Sequence, residues 1–242
     1  MHAQPLRFDR TTDGAVLAAA GLAWLGGEWM QPVIVQPSCQ PCRAGGLNLL
    51  DRPFAGRHDS AADAISWGLA GALLALPPIV EGIEVSRSHQ GSWRDDLGFY
   101  LEALAIDGAI NQLVKLAVQR PRPFVYGETV VYSSENYVSF YSEHTSLAFT
   151  AAASYTTLFA LRHPGERRTI AGVAMALFAA ASATAVLRVA AGKHFPTDVL
   201  VGALAGTVVG AAVPLVHRRS VSPGIAVVPV EGGAMALVQL TN

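Results

Sequence analysis

The stretch TIAGVAMALFAAASATAVLRVAAGKHFPTDVLVGALAGTVVGAAVPLV, residues 169–216, sets the architecture. It holds two apolar runs, Thr169–Leu187 and Pro196–Val216, each near the ~20 residues that cross a bilayer as a helix. Arg188 ends the first run, and Gly192-Lys193-His194 forms a tight loop. Pro196 suits the first position of the next helix. Asp198 then falls in that helix's first turn, close to His194. The stretch therefore reads as two helices joined at one end by a loop that carries a cation, an imidazole and a carboxylate.

Working outward, four more apolar stretches appear, near Gly14–Val35, Ala61–Val80, Leu97–Val118 and Ser146–Leu161. The fourth of the six is short, and the second runs into Pro77-Pro78. Polar or Pro/Gly-rich connections separate them. The fold class expected is all-α, a six-transmembrane-helix bundle. The composition agrees: 51% of residues are hydrophobic, 14% are charged and the mean hydropathy is +0.35. Ordinary soluble domains carry about 25% charged residues. A net charge of −1 shows no basic excess, so nucleic acid is not an expected partner.

The expected organisation is a cytoplasmic segment (1–13), a six-helix membrane domain (14–217) and a tail (218–242). The tail alternates weakly around Glu231-Gly232-Gly233 and reads as a small β-hairpin. The first apolar run has no clean cleavage site and is read as a helix, not an export signal. With the N-terminus inside, nine Lys or Arg fall on the inner side and eight on the outer. Setting aside Lys115, Arg122 and Arg188 as site residues leaves nine against five, which favours both termini inside. The third run is polar for lipid, with Glu102, Asp107, Asn111, Gln112 and Lys115. Such groups face the bundle interior, and Glu102 and Asp107 are expected to partner other buried polar groups.

Three clusters carry chemistry: Lys115-(x)6-Arg122-Pro123, Ser142-Glu143-His144 and Arg188-(x)5-His194-(x)3-Asp198. Six helices place all three at one membrane face. Cations and helix-start amides suit a phosphate, one imidazole can attack it and the other can protonate the leaving oxygen. Asp198 could orient His194 by accepting its ring proton. Each cluster taken singly also fits a structural role. Lys115 and Arg122 fit as interfacial cations, Ser142 as a helix cap and Asp198 as a helix-start carboxylate.

Together, in order and spacing, the clusters resemble the tripartite signature of the type 2 phosphatidic acid phosphatase and vanadium haloperoxidase superfamily: Lys-(x)6-Arg-Pro, Pro-Ser-Gly-His and Ser-Arg-(x)5-His-(x)3-Asp. The resemblance spans Lys115 to Asp198 and extends to the six-helix plan of the membrane branch. It implies a lipid phosphatase whose His194 forms a phosphohistidine, with Asp198 orienting it and His144 as general acid. Lys115, Arg122, Ser142 and Arg188, with Glu143 at the signature position, would form the phosphate site. Neither metal nor cofactor is implied. The expected partners are a lipid phosphate substrate and the bilayer, and the expected location is a bacterial inner membrane with the site on the outer face.

This chain departs from the signature at three places. Tyr141 and Glu143 replace its Pro and Gly, and Leu187 replaces its Ser. Glu143 adds bulk and negative charge where the family backbone approaches an anion. Two other functions stay open: a soluble periplasmic acid phosphatase or haloperoxidase, and a non-catalytic lipid-phosphate-binding membrane protein. Cys39 and Cys42 in the first outer loop read as a disulfide staple; zinc would need two further ligands, for which His58 and Asp59 are the nearby residues.

Overall fold

The structure, a computed structural model, describes residues 6–88, 93–127, 130–218, 222–230 and 233–241. Six α-helices occupy the described residues: α1 (Thr12–Ile34), α2 (Ser60–Ser88), α3 (Trp93–Val118), α4 (Glu143–Arg162), α5 (Arg167–Ala190) and α6 (Pro196–Val216). Each matches one of the apolar runs. Three of them, α2, α5 and α6, are long and apolar enough to cross a membrane. In the tail, β1 (Ser222–Val230) and β2 (Gly233–Thr241) pair antiparallel, and the two residues joining them lie outside the described residues.

The polarity of α3 follows from its place inside the bundle. Ser146 of α4 donates to Asp107 at 2.6 Å. Asn111 donates to the Tyr141 carbonyl at 2.8 Å, and Gln112 reaches Gln31 of α1 at 3.3 Å. Polar groups that would be costly in lipid are thus spent on positioning α1 and α4 around α3.

α4 packs most closely on α6 because α6 presents glycines at a spacing of four. A Cβ on Gly202 would lie 2.8 Å from the Ser142 carbonyl oxygen. One on Gly206 would overlap the Ser146 carbonyl, and one on Gly210 the Thr150 carbonyl. Small residues let helix backbones approach this closely. The seam docks the start of α4 on the start of α6, so that Ser142 N–H donates to the Asp198 carbonyl at 3.2 Å. Two signature clusters meet as a result.

The apolar run of α2 was expected to end near Val80, after its proline pair, yet the helix continues to Ser88. Pro77 and Pro78 lack N–H groups and so free the carbonyls four residues back, at Leu73 and Leu74. The hydroxyl of Tyr100 on α3 sits 3.3 and 3.1 Å from those two oxygens and shares its one proton between them. Tyr100→Phe leaves both carbonyls unpaired and is expected to cost about 1–2 kcal/mol. A lower thermal unfolding midpoint in detergent, with the helix content unchanged, is the expected readout.

Candidate active site

The site forms where the ends of α3, α4, α5 and α6 converge. Lys115 ends α3. Arg122 follows in extended backbone between two prolines, and its N–H donates to the Asn136 carbonyl at 2.8 Å. Glu143 and His144 open α4, while Arg188 lies in the last turn of α5. The next loop folds back on that turn: the N–H groups of Lys193 and His194 both donate to the Arg188 carbonyl, at 3.2 and 3.3 Å. The turn needs Gly192, whose φ is +68° and whose Cβ position is filled by the Arg57 carbonyl. A small core of Val35, Val125, Tyr137, Val138 and Phe195 packs beneath these loops. The Cys39–Cys42 disulfide joins that core, and Cys42 pairs by backbone with Val125 and Gly127, beside the Arg122 segment.

A cavity of about 760 Å³ opens at this convergence. Lys115, Arg122, Glu143, His144, Arg188 and His194 all line it. Ser142 and Asp198 are fully buried and stand behind the wall. Ser142 occupies the N-cap position of α4 without a side-chain cap, and its Oγ accepts from Thr145 Oγ1 at 3.0 Å.

The expected His194–Asp198 hydrogen bond is not formed. Nδ1 lies 4.0 Å from Asp198 Oδ2 but 2.7 Å from the Ser139 carbonyl oxygen. A carbonyl only accepts, so Nδ1 carries the proton and Nε2 holds the lone pair. Asp198 acts one step removed: its Oδ2 accepts from Ser139 Oγ at 2.6 Å and from Phe195 N–H at 2.8 Å. The carboxylate thus fixes the segment whose carbonyl fixes the imidazole. Burial, together with the Arg188 and Arg122 charges, holds the His194 imidazole well below the ordinary histidine range. The ring is therefore neutral at pH 7.

Arg120 completes this layer. It donates to Asp51 at 2.7 Å and Thr197 at 2.8 Å, pairs with Asp198, and stacks on the Phe195 ring at 4.4 Å.

Each of the cations lining the cavity has a carboxylate partner. Lys115 pairs with Glu143, Arg122 with Glu135 at 2.7 Å, and Arg188 with Asp63 at 2.5 Å. Lys193 shares Asp63 at 3.2 Å. Burial alone would raise the Glu135 carboxyl, but Arg122 and the Gln31 amide hold it below the usual range. Three buried polar atoms of the cationic and imidazole groups have no partner: Arg122 Nε, Arg188 Nε and His144 Nε2. The His144 ring is held edge-on by Trp67, with centroids 4.1 Å apart. The lining also includes the apolar residues Leu25, Trp67, Ala70, Gly71, Leu74 and Leu147.

Several of these groups escape sequence reading. Arg120 stands two residues before Arg122, so its neighbourhood was the only signal. Ser139 acts largely through its carbonyl, which leaves no residue signature. Asp51, Asp63 and Glu135 carry no motif, and neither do Trp24 and Glu28 of α1, which also line the cavity.

Among curated protein sequences, none matches the chain. In fold it is similar to the crystal structure of a transmembrane PAP2 type phosphatidylglycerolphosphate phosphatase from Bacillus subtilis. That likeness has 21% identity and a TM-score of 0.50 over 82% of this chain and 84% of that one. The crystal structure of Aquifex aeolicus LpxE is also similar, at 22% identity and a TM-score of 0.48 over 71% of this chain and 98% of that one. The sequence model of the PAP2 superfamily matches residues 96–222, just over half of the chain and inclusive of all three clusters. The chain belongs to the PAP2 superfamily.

Proposed function

We propose that this protein is a membrane phosphatase that hydrolyses the phosphate monoester or pyrophosphate of a lipid through a phosphohistidine on His194. The observation that carries this is one cavity with a mixed lining. The lining that holds His194, His144, Lys115, Arg122 and Arg188 also holds a set of apolar residues, Leu25, Trp67, Ala70, Leu74 and Leu147. The polar residues suit the phosphate and the apolar ones the lipid tail.

The steps follow from the residues. His194 Nε2 attacks phosphorus, and the bond from phosphorus to the leaving oxygen breaks. His144 gives that oxygen its proton. Water then attacks the phosphohistidine, His144 takes the water's proton, and orthophosphate leaves with His194 restored. Arg122 and Arg188, which line the cavity, stabilise the charge on the equatorial oxygens.

The disulfide beside the Arg122 segment favours the outer, oxidising face of a bacterial inner membrane for the site. The three helices apolar enough to cross a membrane support the integral location, and the six-helix plan with both termini inside extends it.

The purified full chain in detergent is expected to release orthophosphate from at least one of phosphatidate, phosphatidylglycerol phosphate or an isoprenyl pyrophosphate. Added chelator is expected to leave the rate unchanged and vanadate to block it. No release from any of the three lipids would sink the proposal. The Lys115–Glu143 pair favours a second reading, lipid-phosphate binding without turnover, which the same assay separates.

A further inference from the structure

Glu143 occupies the signature position where the family carries glycine, and its side chain turns into the cavity. One carboxylate oxygen pairs with the Lys115 ammonium, and the other accepts from Trp24 Nε1 at 2.9 Å. Lys115 is 3% exposed, and among the described residues Glu143 is its hydrogen-bonding and ion-pairing partner. The rest of the anion site is arranged differently. Arg122 and Arg188, nine-tenths or more buried, each keep an unpaired Nε, and His144 Nε2 is unpaired beside them. Those atoms are left without a partner, whereas the Lys115 ammonium is already paired with an anion.

We infer that Glu143 is a resident anion in the Lys115 corner of the phosphate site, exchanged for a phosphoryl oxygen each time substrate binds and restored when orthophosphate leaves. This rests on the reading of the cavity as a phosphate site. Trp24 makes the exchange local, because its N–H retains one oxygen of Glu143 while Lys115 changes partner. Without any partner, a buried ammonium is strongly disfavoured, so Lys115 is always bound to one anion or the other. Glu143 therefore competes equally with substrate and product. It weakens binding of both, and it helps release orthophosphate by returning to Lys115.

The test uses the full chain in detergent with orthophosphate as probe, measured by calorimetry and as a competitive inhibitor. Glu143→Gln keeps an acceptor for Trp24 and removes the charge. It is expected to bind orthophosphate about tenfold more tightly, a change of about 1.4 kcal/mol. Lys115→Ala is expected to weaken orthophosphate by less than about twofold in the native background and about tenfold in the Glu143→Gln background. A folded Glu143→Gln protein that binds orthophosphate no more tightly than the native one overturns the exchange. A measurement on the native protein covers a variant that does not fold. Saturating orthophosphate is expected to alter the tryptophan emission, and Trp24→Phe to remove that change. Orthophosphate inhibition with no Trp24-dependent change overturns the exchange while leaving the phosphatase reading standing. A chain that neither binds orthophosphate nor cleaves lipid phosphates overturns the phosphatase reading and the exchange with it.

Discussion

His194→Ala is expected to reduce lipid-phosphate hydrolysis by about 10³-fold or more, with KM changed far less than kcat. The ring donates through Nδ1 to the Ser139 carbonyl at 2.7 Å, which leaves Nε2 as its nucleophilic nitrogen. Its burial keeps it neutral, and Lys115, Arg122 and Arg188 are held by carboxylates and not by it. Binding therefore survives while the covalent step is lost. Rapid quenching of the native protein should trap a phosphohistidine that is missing from the variant. An alanine variant that keeps native turnover would remove His194 as the attacking group. Asp198→Asn is expected to be milder than His194→Ala, since the carboxylate reaches the imidazole only through Ser139 and the loop.

Arg120→Ala is expected to be the most destabilising single change near the site, by about 3–5 kcal/mol. The guanidinium is shared by Asp51 and Asp198, whose side chains are both 0% exposed. Removing it leaves two buried carboxylates without their cation and strips the stacking partner from Phe195. Burial pushes the Asp51 carboxyl upward, but Arg120 and Thr197 outweigh it and hold the group below the usual aspartate range. The sign of that shift means its contribution is present above the ordinary aspartate pKa and lost as pH falls below it. A large fall in the thermal unfolding midpoint at pH 7, narrowing toward pH 3, is the expected result. Arg120→Lys should recover part of it, because an ammonium supplies the charge without the planar fork. An Arg120→Ala protein as stable as the native one would show that the network does not hold the loops.

The helices and the three clusters were legible because their signals are local. Apolar runs of bilayer length produce α2, α5 and α6 directly, and Arg188, His194 and Asp198 fall within eleven residues of one another. The polar face of α3 was legible as inward-facing for the same reason, since an ionisable group in lipid has few alternatives. Its partners were not, because Asp107 of α3 meets Ser146 of α4 only once the two helices pack, 39 positions apart in the chain. The hydrogen bond to His194 was misread for a related reason. Chain spacing places Asp198 one turn from the ring, but side-chain direction sends its carboxylate to Ser139, Phe195 N–H and Arg120.

The chain in linear order thus supplied the six helices and the three clusters, all of which rest on residues close in sequence. Folding alone supplied the charge balance of the site. Asp63 reaches Arg188 across 125 positions and Trp24 reaches Glu143 across 119, and no local pattern encodes such pairs. Glu143 shows the division most clearly. As a letter it was an acid in place of a glycine. In the fold its carboxylate stands on Lys115, because electrostatic attraction in a buried site selects the nearest opposite charge whatever its distance along the chain.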